Sequence, residues 1–244
     1  MDTIIYKQEN DTNMKIERVR KYHFIWLLGL SIFLFNSGCQ RAIPGIAEGF
    51  TYNDLYTLDN GKDLSSVSFA LNRDGSINAV VEIPAGTLAK WEVNGRLPDG
   101  SKPEDGKLRW EFENGKPRVI RYIGYPGNYG FIPSTLISGG DQLDVLLLGP
   151  PLPKGAIVNA KVIGVLKMLD NGEKDDKILA ATKESSFYGV DDMDEMDEYF
   201  PGVSDIIEIW FTHYKGTVEV TVLGWGDKEE TERIIQNAIG SASR

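Results

Sequence analysis

Tyr125–Gly149 reads YPGNYGFIPSTLISGGDQLDVLLLG, and its two halves ask for different structures. The first half mixes tyrosines, an asparagine, prolines and glycines, as a shaped surface loop does. The second half sets Asp141 and Asp144 directly ahead of a Val/Leu run that reads as a buried strand. Two carboxylates three residues apart at the lip of a core are costly to hold there unless their charge is used.

Working outward, the texture on both sides is short, alternating or β-branched, with Gly, Pro and Asn between segments. Strands are expected at 78–83, 88–93, 107–112, 117–123, 144–148, 157–168, 177–181 and 217–225. Two helices follow late. VSDIIEIWFTHYK (203–215) puts Ile206, Ile207, Trp210 and Phe211 on one stripe, and DKEETERIIQNAIG (227–240) opens with Asp227 as N-cap and Glu230 three residues on. Many short strands and two late helices point to a mainly β, α+β fold, a closed barrel of antiparallel strands with flanking helices. The domain is expected over 76–244, with the Gly- and Asp-rich 40–75 as a tether.

Charge and rare residues exclude several function classes. The 244 residues carry a formal charge of −10, which argues against nucleic acid as a partner because phosphate binding there needs a basic face. Only His23 and His213 are present, so histidine-based triads and zinc sites are nearly closed off. The single cysteine, Cys39, forms no internal disulfide. It follows the basic Lys15–Lys21 stretch, the apolar run Phe24–Phe35 and the residues NSG. That order resembles the lipobox of bacterial lipoproteins. It implies a signal peptide over 1–39, lipidation at Cys39 and an exported, membrane-anchored domain.

The chemistry-bearing residues lie on loops at strand ends. VLKMLDNGEKDDK (165–177) places Asp170 and Asp175 around an Asn171-Gly172 turn, and with Asp141 and Asp144 this makes four carboxylates. Their oxygens suit a hard cation such as Mg²⁺ or Ca²⁺, and the spacing is not that of an EF-hand. Taken alone, an aspartate beside an Asn-Gly turn is an ordinary solvated turn residue.

EIPAG and KWEV (82–93), YPGNYGFIPSTL, GGDQLDVLLLGP, VIGVLKMLDNGEKDDK and FTHYK (211–215) together resemble the soluble family I inorganic pyrophosphatases, in order and approximate spacing from Val80 to Trp225. The resemblance implies an OB-like β-barrel and Mg²⁺-dependent hydrolysis of pyrophosphate to two phosphates. It implies Asp144, Asp170 and Asp175 as metal ligands, Glu82 acting through water, and Asp141 as the carboxylate that takes a proton from the attacking water. Lys90, Arg118, Tyr129, Lys177, Tyr214 and Lys215 match groups that hold the phosphates, with Arg121 close to the Arg118 position. Tyr125 and Glu92 match supporting positions. It leaves the oligomeric state open, a homo-oligomer included.

One block departs from the family. Its pattern is Asp-x-Asp-Pro-x-Asp, and here the residues are Gly139-Gly140-Asp141-Gln142-Leu143-Asp144. A metal-ligating aspartate is therefore glycine. Mg²⁺ tolerates water ligands, so a raised Mg²⁺ requirement is expected rather than a dead enzyme. Returning an aspartate to 139 is expected to lower that requirement, unless the position needs a positive φ. The rival reading is a non-catalytic lipoprotein that binds phosphate or metal on the same fold.

Overall fold

The computed structural model describes residues 45–242. Cys39 and the signal-like segment lie outside them. The chain begins with β1 (Thr51–Asp54), β2 (Thr57–Asp59), β3 (Ile77–Ile83), β4 (Trp91–Val93) and β5 (Leu108–Trp110). Two short strands, β6 (Phe112–Glu113) and β7 (Lys116–Pro117), precede β8 (Asn128–Ile132) and β9 (Leu143–Leu148). Next come β10 (Ile157–Asp170), β11 (Glu173–Lys174) and β12 (Lys177–Thr182). Helices α1 (Met193–Tyr199) and α2 (Val203–His213), strand β13 (Val220–Gly226) and helix α3 (Lys228–Ala242) complete it.

Pairing closes a ring. β3 pairs with β8, β8 with β9, β9 with β12, β12 with β10, and β10 returns to β3. This is the OB-like barrel expected, with one difference: β9 and β12 run parallel, Asp144 opposite Lys177. The long β10 and its hairpin with β11 lie between them, and such a crossover lets the chain return in the same direction. β10 serves several partners by its length of 14 residues, its first residues meeting β3, its middle β12 and its end β13. The stretch 117–123 is not a continuous strand. Pro117 has no N–H to give to a ladder, and Val119 makes only an isolated bridge to Ala89.

Residues 45–75 differ from the tether expected. They carry β1 and β2, and Phe50, Leu58 and Leu64 are buried in the same apolar cluster as Trp91 and Leu108. β1 is exposed at every position, so it shows none of the alternation that marks a strand in sequence.

Alternation along the barrel strands decides what faces the site. Leu143, Val145 and Leu147 of β9, with Ile178 and Ala180 of β12, join Ile235 and Ala238 of α3. Leu146 and Leu148, with Leu179 and Ala181, join Ile207, Trp210 and Phe211 of α2. Asp144 and Lys177 share the parity of this second set, so they emerge on the α2 side at the strand ends. Ile206 does not belong to that stripe and is 56% exposed. At Gly130 a Cβ would sit 1.8 Å from the Val80 carbonyl oxygen, so β3 and β8 approach closely only with glycine there. Asp227 caps α3 as expected, accepting from Glu230 N–H at 2.7 Å.

Candidate active site

The strand ends bring most of the expected residues to one cavity of about 240 Å³. Its wall includes Glu82, Lys90, Tyr129, Asp141, Asp144, Asp170, Asp175, Lys177, Tyr214 and Lys215. Arg118 and Tyr125 are not on that wall. Arg118 lies behind it, donating to Glu111 Oε2 at 2.8 Å, and Glu111 also lies 3.6 Å from Lys90 Nζ. Glu92, expected to support the site, contacts Lys90 Nζ directly.

Lys177 is the hub. Its side chain is 2% exposed, and its ammonium donates to Asp144 Oδ2 at 2.6 Å and Asp175 Oδ1 at 2.5 Å. Burial alone disfavours this ammonium, but the two carboxylates outweigh it and hold its pKa above the usual lysine value. Lys215, just past α2, pairs with Asp170 in the same way. Glu82 is buried on β3 and accepts from Val93 N–H at 2.6 Å. Burial, reinforced by the Asp144 charge, pushes its carboxyl up to about 8 despite that hydrogen bond. At Lys90 burial wins, and the ammonium falls below its usual value even with Glu111 beside it. Glu111 is half-buried, and although burial opposes its charge, Lys90 and Arg118 hold its carboxyl below the usual range.

The aromatic wall is fixed from behind. Trp210 of α2 stacks on Tyr214 at 4.5 Å and meets Tyr125 at 4.6 Å, while its Nε1–H donates to the Ile123 carbonyl at 2.9 Å. Tyr125 packs on Tyr129 at 5.3 Å. Burial raises the pKa of Tyr129 and Tyr214 well above the ordinary phenol value, so both hydroxyls stay protonated donors.

Asp141 stands apart from this buried group. It is 66% exposed, and its Oδ1 accepts from Lys102 Nζ at 2.7 Å. Lys102 and Gln142 also line the cavity. Lys102 and Glu111 carry no signal in a linear reading, because each meets the site only through tertiary structure.

Among the described residues, no three carboxylate, histidine or cysteine side chains are close enough together to enclose a metal as they stand. Instead, the lysines 177 and 215 hold positive charge against Asp144, Asp175 and Asp170. Ammonium groups thus stand in for cationic charge at oxygen-only donors, the chemistry that suits Mg²⁺.

Comparison with known proteins accounts for this arrangement. The inorganic pyrophosphatase family pattern matches residues 79–243. An inorganic pyrophosphatase of Neisseria meningitidis serogroup B is 38% identical over 178 residues, covering 68% of this chain and 88% of that protein. One from Caulobacter vibrioides is 34% identical over 196 residues, covering 72% of this chain and 96% of that protein. The crystal structure of an inorganic pyrophosphatase from Neisseria gonorrhoeae superposes with a TM-score of 0.59 at 33% identity, covering 75% of this chain and all of that one.

These relatives correct one expectation. They are named simply as inorganic pyrophosphatases, so the reading of an exported, membrane-anchored lipoprotein is withdrawn. A basic stretch, an apolar run and a cysteine form a compositional signal of low specificity, and Asn36 stands where such signals have an aliphatic residue. Among the described residues no helix is long and apolar enough to cross a membrane. With the family pattern spanning the barrel, its carboxylates and its lysines, the chain belongs to the inorganic pyrophosphatase family.

Proposed function

We propose that the protein hydrolyses inorganic pyrophosphate to two phosphates with Mg²⁺ as cofactor. The observation that carries this is the convergence, inside the family-matched region, of strand-end carboxylates and lysines, with Lys177 buried among them, on one cavity. Asp144, Asp170 and Asp175 would hold the metal, with Glu82 reaching it through water. When bound, Mg²⁺ supplies Lewis acidity that neutralises phosphate charge and acidifies water.

The chain's own groups do the rest. Asp141 accepts a proton from the attacking water at a carboxylate oxygen. Lys90, Lys177 and Lys215 set positive charge against the phosphate oxygens, where charge grows as the bridging bond breaks. Tyr129, packed against Phe211, and Tyr214, stacked on Trp210, stay protonated and donate hydrogen bonds that orient the substrate. Arg118 acts from behind the wall, fixing Glu111 and through it Lys90. The non-catalytic alternative rests on Gly139 alone, and the other expected carboxylates and lysines line the cavity, which supports the enzyme.

The full chain, assayed for phosphate release from pyrophosphate, is expected to be active with Mg²⁺ and inactive after chelation. A folded protein that binds Mg²⁺ and releases no phosphate would overturn the reading.

A further inference from the structure

Lys102 differs in origin from the other lysines of the cavity. Lys90, Lys177 and Lys215 are 13%, 2% and 16% exposed and grip carboxylates. Lys102 is 43% exposed and comes from the loop 95–106. Both ends of that loop are rooted. Arg96 accepts from Phe112 N–H at 2.9 Å, and Leu97 N–H donates to the Ser101 carbonyl at 2.8 Å, closing a turn. At the far end Asp105 takes both Arg109 nitrogens at 2.6 Å, and Gly106 N–H donates to Asn94 Oδ1 at 2.7 Å. A lysine between two such anchors is held near the cavity while its four-carbon stem stays free to swing.

Its resting partner is a poor one to keep. The Lys102–Asp141 pair is exposed on both sides, and exposed pairs contribute little. Pyrophosphate in the same cavity carries several negative charges and outcompetes a single carboxylate for the ammonium. Gly139 offers no carboxylate beside it to hold Lys102 back, and both residues line the groove that adjoins the cavity.

We propose that Lys102 is a further substrate-binding residue, its ammonium resting on Asp141 in the free enzyme and moving to a phosphate oxygen when pyrophosphate binds. The move frees Asp141 to accept the proton of the attacking water. This inference rests on the pyrophosphatase reading above.

The test uses the full chain with saturating Mg²⁺. For Lys102→Met, KM for pyrophosphate and the calorimetric Kd for methylenediphosphonate, which cannot be hydrolysed, are each expected to rise about tenfold. Its kcat is expected to change less than about threefold, since only binding is lost. Lys102→Arg, which keeps the charge, is expected to stay within about threefold of the parent in all three. Unchanged KM and Kd in the Met variant would overturn the proposal. So would a fall in kcat with Kd unchanged, which would make Lys102 a brace for Asp141. Should the parent bind the diphosphonate yet release no phosphate, the hydrolase reading falls, and the Kd ratio still decides whether Lys102 binds phosphate.

Discussion

Asp144 and Asp141 stand three residues apart, each held by a lysine, yet the lysine on Asp144 is 2% exposed and the one on Asp141 is 43% exposed. Asp144 sits on β9, paired in register with Lys177 of β12, so the barrel itself fixes the contact. Asp141 sits on a turn that its own backbone closes, accepting from Ile137 N–H at 2.9 Å, and meets a loop lysine. The buried wall is thus coupled to stability and the exposed wall to exchange of partners. Charges in the first cannot be removed without disturbing the fold. Charges in the second can change hands during turnover.

The largest effect is expected at Lys177. Lys177→Met keeps the stem and removes the ammonium, leaving Asp144 and Asp175 facing one another with no cation. Losing one partner of a buried charge pair costs about 3 kcal/mol or more. For a domain of this size that lowers the thermal midpoint of the chelated protein by roughly 6–12 °C. Mg²⁺ is expected to recover part of the loss, because a divalent ion replaces the missing positive charge. Thermal unfolding with chelator and with Mg²⁺ measures both. A chelated variant as stable as the parent would show that the buried wall does not depend on its lysine.

Asp141→Asn tests the other wall with the opposite signature. The amide keeps an acceptor for Lys102 but does not take a proton, so turnover is expected to fall by about 10²–10⁴. Stability is expected to move by less than about 1 kcal/mol, because the pair lost is exposed. Equal turnover in parent and variant would remove Asp141 from its role. A large drop in thermal midpoint would mean that the exposed wall is structural after all.

This division also explains what could be read from the chain. Asp141, Asp144, Asp170 and Asp175 could be seen in the sequence as carboxylates at the ends of apolar runs, whereas a role for Asp170, Asp175 and Lys177 came only with the family resemblance. The barrel followed from the same punctuation, although nothing local announced that β9 and β12 run parallel. Lys102 was not legible. It lies 39 residues from Asp141 within RLPDGSKPEDG, a stretch that reads only as turns. Glu111 was missed for a similar reason, since its meaning depends on Lys90 and Arg118 converging on it. β1 and β2 were hidden because β1 is exposed throughout and the buried Thr57 and Leu58 of β2 are adjacent rather than alternating.

The smallest expected effect lies at Gly139, where the family pattern places a metal-ligating aspartate. Gly139 has φ +104° and Gly140 has φ +91°, in the left-handed region that glycine adopts freely. A Cβ at 139 would meet nothing within 4 Å, so space does not forbid a side chain. The backbone does, at an expected cost of about 1–2 kcal/mol for an L-residue. Gly139 lines the adjoining groove and not the cavity of Asp144 and Asp175, so an aspartate there is expected to face the groove rather than the proposed metal ligands unless the turn rearranges. Gly139→Asp is therefore expected to lower the thermal midpoint by roughly 2–8 °C and to leave the Mg²⁺ activation curve where it is. This reverses the expectation that the carboxylate alone would lower the Mg²⁺ requirement, because the positive φ it had to avoid is present. The measurement is a pair of curves, thermal unfolding and activity against Mg²⁺ concentration, on parent and variant. A variant of unchanged stability whose activity saturates at lower Mg²⁺ would show that the turn yields readily and that position 139 still belongs to the metal site.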